Sequence, residues 1–321
     1  MNERLKSLAD PMIAVLIGAT TLALVFPAMG EARAVAQSVS SVSIFVLFLI
    51  NGMRIARTEI TKGLANWRFF GPLFVYVFGV MAMLGWGLGT VAQGWLPPVV
   101  ALGFIYLGVL PSTIQSATSY TTLAQGNVAL SVVGAALINI AGVFVSAPLF
   151  ALLGGESGAN IGSEMIVRIG LILILPFVIG QAVQGWTRDW VLERKARIVW
   201  VDRIVIGIAV YVAFSGAVEE GLATMFAPSD WGMLFVCAVA LLAVSTAGAW
   251  LVSGLFGYPR ADRIAFLFAA SQKSVAVGAP LAAILFPAEI AGFVIAPLLL
   301  YHLVQLMWAA PMATMLAGSS R

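Results

Sequence analysis

The chain has 321 residues, 61% of them hydrophobic and only 10% charged, with a mean hydropathy of +1.02. Soluble domains carry roughly 25% charged residues, so the polar surface here is too small to cover a globule and the composition reads as a polytopic membrane protein. The net charge of +3 discriminates little, the single cysteine Cys237 excludes an intrachain disulfide, and no nucleotide-binding loop, metal-spaced His/Cys cluster or nucleophile–base pair supports ATP-driven transport or an enzyme.

In chain order, the first apolar run, Pro11 to Met29, follows Arg4 and Lys6, and Ala32-Arg-Ala34 resembles a cleavage site. A signal core spans about 7–15 residues, so this longer run is read as the first spanning helix. A helix needs about 20 apolar residues to cross the hydrocarbon. The breaks then give ten candidate spans at 11–29, 35–53, 69–90, 97–124, 127–153, 164–185, 201–219, 231–257, 262–286 and 288–317. Short turns separate them, among them Gly154-Gly-Glu-Ser-Gly158 and Pro287-Ala-Glu289. Trp67, Trp95, Trp186, Trp190, Trp200 and Trp231 fall near span ends, where aromatic belts lie.

Charge tests this count. With a cytoplasmic N-terminus, the inner segments hold Arg4, Lys6, Arg54, Arg57, Lys62, Arg68, Arg188, Arg194, Lys195, Arg197, Arg203, Arg260, Arg263 and Arg321. The outer segments hold only Arg33 and Arg168, the asymmetry that the positive-inside rule predicts. The expected location is a plasma membrane, bacterial inner, with both termini cytoplasmic.

Ten spans divide into residues 1–153 and 154–321, five helices each, and an odd number per half inverts the second. The fourth and ninth spans then correspond, and both are interrupted. The fourth carries Leu110-Pro-Ser-Thr-Ile-Gln-Ser116 followed by Thr118 and Ser119; the ninth carries Ser271, Gln272, Lys273 and Ser274 before Gly278 and Pro280. The helices after them share the phrases Ala147-Pro148-Leu149 and Ala310-Pro311-Met312. Matched polar breaks in two inverted halves point to a midplane transport site.

Lys273 is the sharpest anomaly. An ammonium in a bilayer core costs at least ~2.5–3.5 kcal/mol on insertion scales, and such residues mark ion or substrate paths. No carboxylate lies near mid-span, since Glu219, Glu220 and Glu289 fall near outer ends and Asp262 near an inner one. A buried lysine can exchange a proton, pair with an anionic substrate, or be fixed to carbonyls at the helix break. Candidate binding residues beside it are Ser271, Gln272, Ser274, Ser112, Thr113, Gln115, Ser116, Thr118, Ser131, Asn139 and His302. The bland alternatives are interhelical hydrogen bonds for the Ser/Thr run and Asn139, and a structural histidine for His302. Arg54, Arg57, Lys62 and Arg68 read as topology anchors, Gln181 and Gln184 as interfacial, and Gly85, Gly87 and Gly89 as sites of close helix contact.

The phrases Leu110-Pro-Ser-Thr-Ile-Gln-Ser116 and Ala124-Gln-Gly-Asn-Val-Ala-Leu-Ser131 resemble the bile-acid:sodium symporter superfamily. Asn51-Gly-Met-Arg54, Asn66-Trp-Arg68, Ser271-Gln-Lys-Ser274 and Tyr301-His-Leu-Val-Gln-Leu306 resemble its divergent branch, the symporter-like members of the cation/proton-antiporter clan. The resemblance implies panel and core domains, with the fourth and ninth helices broken and crossing in the core. In sodium-coupled members a glutamate precedes the ninth-helix glutamine by four residues; here Phe268 holds that place, and Lys273 stands where asparagine is usual. Ser116 or Thr118 falls near the family's Ser-Asn sodium ligands and Ser131 matches a serine ligand, but Ala135 replaces a threonine.

These departures argue against two-sodium coupling. Two unit charges 4 Å apart repel by ~4 kcal/mol at an effective dielectric of 20. Lys273 is therefore read as a built-in cation in a secondary transporter of a small organic anion working by alternating access. Sodium coupling through Ser116, Thr118 and Ser131 is one alternative. A non-transporting regulatory protein is another, since the branch in animals is connected with calcium regulation and glycan assembly. No cofactor beyond a coupling sodium ion or proton is expected. The partners expected are membrane lipids and the substrate, without nucleic acid, and a monomer suffices while a dimer stays open.

Overall fold

A computed structural model describes residues 11–58, 61, 65–154, 167–221 and 227–318. The described chain is helical, without a strand. The helices are α1 (Pro11–Val25), α2 (Gly30–Arg54), α3 (Trp67–Ala92, with a π-helical turn at Tyr76–Val80), α4 (Pro98–Val109), α5 (Ile114–Leu123) and α6 (Val128–Gly154). They continue as α7 (Val167–Glu193, π turn Gly170–Ile174), α8 (Lys195–Glu219), α9 (Pro228–Leu255), α10 (Arg260–Ser271), α11 (Val275–Leu285) and α12 (Ala288–Gly318).

Eight helical stretches among the described residues are long and apolar enough to cross a membrane, α10 and α11 together forming one of them. The pair α4 and α5 adds a ninth only if the two, bent by 63° at their junction, count as a single span. Trp186, Leu255 and Leu152 are 86%, 87% and 77% exposed, an apolar outer surface that suits lipid rather than water. The protein is an integral membrane protein.

Helix ends depart from the apolar windows for local reasons. The first helix stops at Val25, giving only 15 residues, because Pro27 lacks an N–H and Gly30 takes a positive φ of 56°. Glu31 and Arg33 are inside α2, and Lys195, Arg197, Asp202 and Arg203 inside α8, since charged residues continue a helix beyond the hydrocarbon boundary. Glu289 likewise belongs to the first turn of α12 rather than to a turn. Arg4, Lys6, Lys62, Arg321, residues 155–158 of the expected turn and the start of the sixth span lie outside the described residues.

Packing sorts the helices. α2 packs on α7 and α8, and α8 on α1; α3, α4, α5, α6, α9, α10 and α12 pack among themselves; α8 contacts α11 and α12 across the boundary. Close approach is set by glycine where α3 meets α4: a Cβ on Gly85 would sit 2.5 Å from the Phe104 carbonyl oxygen and 2.7 Å from Gly108 Cα, whereas Gly87 has open space. Arg54 and Arg57 do more than anchor topology. Arg54 pairs with Asp202 at 3.1 Å, and Arg57 donates to the Gln181 carbonyl at 2.6 Å. Gln181 in turn donates to the carbonyls of Gly52 and Ile55. The least hydrophobic span, Arg260–Leu285, is the most enclosed, with 94% of its central window buried. A polar segment inside the membrane is tolerated there because protein surrounds it.

Candidate functional site

Two helix interruptions build the site. Pro111 cannot donate an N–H and drives Leu110 into extended backbone (φ −75°, ψ 151°), so α4 stops and α5 restarts after Thr113. In the second interruption Gln272 is extended, and Ser274 caps α11, its hydroxyl accepting from the Val277 N–H at 3.3 Å. The interruptions touch: the Ser274 N–H donates to the Pro111 carbonyl at 3.0 Å, and the Ser116 hydroxyl to Gln272 Oε1.

Lys273 sits at this junction, 0% exposed. Its Nζ donates to the carbonyl oxygens of Leu110 at 2.6 Å, Gly108 at 2.9 Å and, more weakly, Val77 at 3.4 Å. Gly108 and Leu110 end α4, where carbonyls lose their helical partners and the helix dipole is negative. Val77 lies in the π turn of α3, where the altered register reorients carbonyls. Nζ thus meets three backbone oxygens at a helix end and, among the described residues, no carboxylate.

Gln305 holds the lysine's backbone from α12. Its Oε1 accepts from the Lys273 N–H at 2.9 Å, and its Nε2 donates to the Lys273 carbonyl at 3.0 Å. His302 Nδ1 lies 2.8 Å from the same Nε2. Tyr301 donates to the Ser271 carbonyl at 2.6 Å and meets the Ser245 hydroxyl at 3.0 Å; Tyr76 donates to the Ser245 carbonyl at 2.5 Å. Tyr106 donates to the Gly278 carbonyl at 2.5 Å. Buried tyrosines thus bind backbone carbonyls around the junction: Tyr301 one at the end of α10, Tyr106 one within α11 and Tyr76 one within the neighbouring α9.

Other sequence-predicted residues divide. Ser112, Ser116, Gln272 and Ser274 gather at the junction with Lys273; the Ser271 hydroxyl folds back to the Leu267 carbonyl at 2.7 Å. Asn139 joins them as a packing bond, donating to the carbonyls of Ser112 at 2.6 Å and Ala135 at 2.8 Å. Thr113 flanks the start of α5 without a side-chain cap bond, and Gln115 is exposed. Ser131 is buried against Thr121, 3.1 Å between hydroxyls. Phe268 is fully buried, its ring 5.8 Å from the Tyr120 ring. Among the sequence-predicted site residues, three buried atoms have no hydrogen-bond partner: Ser112 Oγ, Thr118 Oγ1 and Gln272 Nε2. Buried polar atoms are nearly always paired, so these are the groups that could hold a polar ligand. Sequence reasoning missed Tyr76, Tyr106 and Ser245, lone polar residues in apolar helices whose backbone partners lie far along the chain.

Comparison with known proteins places the chain in a family. The model of the SBF-like CPA transporter family matches residues 10–318. YfeH of Escherichia coli (strain K12), a candidate symporter by its name, is 35% identical over 97% of this chain and 93% of its own. An uncharacterised protein of Pseudomonas aeruginosa is 33% identical over 97% and 94%. Sodium/bile acid cotransporter 7 of Mus musculus is 24% identical over 84% and 80%. The named relatives are transporters rather than enzymes, and the chain belongs to the SBF-like CPA transporter family.

Proposed function

We propose that this protein is a secondary transporter of a small organic anion, working by alternating access, in which the Lys273 ammonium stands in for a coupling sodium ion. One observation carries the reading: Nζ is ligated by the carbonyls of Gly108, Leu110 and Val77. Backbone oxygens at a helix terminus are what a bound cation would use, and a protonated lysine there would hold α3, α4 and the second helix break together, while loss of its proton would allow proton coupling. Because that charge is committed to backbone, the substrate would meet the unpartnered Ser112, Thr118 and Gln272 groups and the N-terminal ends of α5 and α11 rather than the ammonium. The same reading takes α1–α6 and α7–α12 as two inverted five-span repeats, α4/α5 and α10/α11 each being one broken span. It takes α1, α2, α7 and α8 as the panel and the remaining helices as the core. Both termini face the cytoplasm in a bacterial inner membrane, and one chain suffices for transport.

The test is thermal unfolding of the purified protein with sodium or potassium across pH, in the natural chain and in Lys273→Met. The expected result is no sodium-specific stabilisation of the natural chain. The variant is expected to unfold at lower temperature, since two strong acceptors lose their donor at about 1–3 kcal/mol each, partly offset by removal of a buried charge. A clear sodium effect on the natural chain rejects the built-in cation and favours sodium-coupled symport.

A further inference from the structure

A second polar site lies at the opposite boundary, where α2, α7 and α8 meet α11 and α12. A cavity of about 130 Å³ is lined there by Gln37, Ser40 and Ser41 of α2, Arg168 of α7 and Glu289 of α12, with Phe286 and neighbouring small residues as apolar wall. Ser40 is 3% exposed and its hydroxyl has no hydrogen-bond partner. Its neighbours Ser38 and Ser41 bond back to the carbonyls of Ala34 and Gln37, a local solution that Ser40 does not use.

Charge at the mouth is unequally committed. Arg33 is held by two carboxylates, Glu219 at 2.6 Å and Glu289. Arg168 forms no ion pair or hydrogen bond among the described residues, although it lines the same cavity. Glu289 also lines it, but its carboxylate is engaged by Arg33 and stands 43% exposed, where water screens the remaining charge. The uncommitted groups among the described lining residues are therefore the Arg168 guanidinium at the mouth, the half-buried Gln37 amide and the Ser40 hydroxyl at depth.

We propose that this cavity is a binding site for small monocarboxylates, with Arg168 forking the carboxylate, Ser40 supplying a buried hydroxyl and the Phe286 wall taking the apolar body. A guanidinium matches a carboxylate with two parallel N–H···O bonds, and a partly open cavity of about 130 Å³ leaves room only for a small body. In the orientation proposed above this is the outer face, so the site is where a substrate would first meet the protein. Its existence does not depend on the role given to Lys273.

The test uses the full chain in detergent with benzoate and butyrate as N-methylglucamine salts, chloride and butyramide serving as controls. Phenylglyoxal modification of Arg168, followed by mass spectrometry, reports occupancy directly in the natural protein. Either acid is expected to slow that modification at least threefold and to raise the unfolding temperature, while butyramide does neither. Arg168→Gln is expected to weaken the stabilisation about 10- to 100-fold in acid concentration, and Ser40→Ala about 3- to 10-fold. Absence of protection by both acids, or equal stabilisation of Arg168→Gln, overturns the site. Binding is the readout, so a protein that protects Arg168 yet moves no solute rejects the transport cycle and keeps this site, and the converse result rejects the site alone.

Discussion

Lys273 shows how an energetic anomaly is resolved without an opposite charge. The need for a partner is legible from one basic residue in an apolar run, whereas the partner is not, because backbone oxygens 163 and 165 residues earlier leave no mark in side-chain chemistry. The same holds for Gln305, whose amide brackets both backbone groups of Lys273. Gln305→Leu leaves a buried N–H and C=O unpaired at about 1–3 kcal/mol each. Thermal unfolding should therefore fall clearly below that of the natural chain, and below Gln305→Glu, which keeps the acceptor for the N–H. Asn139 and His302 are each engaged in a hydrogen bond inside the protein. Ser112, Thr118 and Gln272 keep unpartnered atoms, so the polar run is only partly explained by packing.

At the scale of helices, the interruptions were legible because proline and clustered Ser/Gln change what the backbone can do locally. The π turn of Tyr76–Val80 was not, since the run YVFGV has no local signal and the register change matters only through Val77's contact with another helix. The glycines of α3 carry a prediction. Gly85 abuts Gly108, whose carbonyl receives the ammonium. Gly85→Val should push α4 outward, lowering the unfolding temperature by several degrees and reducing the monodisperse fraction in size-exclusion chromatography. Gly87→Ala, with nothing within 4 Å of the added carbon, should match the natural chain. Equal behaviour of the two would mean that α3 and α4 are not locked as described.

For the whole molecule, the composition and loop charges carried the class and the proposed orientation, because lipid and membrane potential act on sums rather than on particular contacts. Impermeant maleimide labelling in intact cells checks that orientation in a Cys237→Ser background. A cysteine at Glu220 should react and one at Glu193 should not; the reverse pattern would invert the protein, and reaction at both would break the span count. What sums could not foretell is how the helix sets are tied. Arg33 joins α2 to both α8 and α12, whereas at the other end Arg54 and Asp202 tie α2 only to α8. Parting the two sets at the Arg33 end thus separates the Arg33–Glu289 ion pair. Screening shortens from about 30 Å at 0.01 M to 3 Å at 1 M salt. If the molecule works by the alternating access proposed above, its door at the Arg33 end would be one that brine quickens.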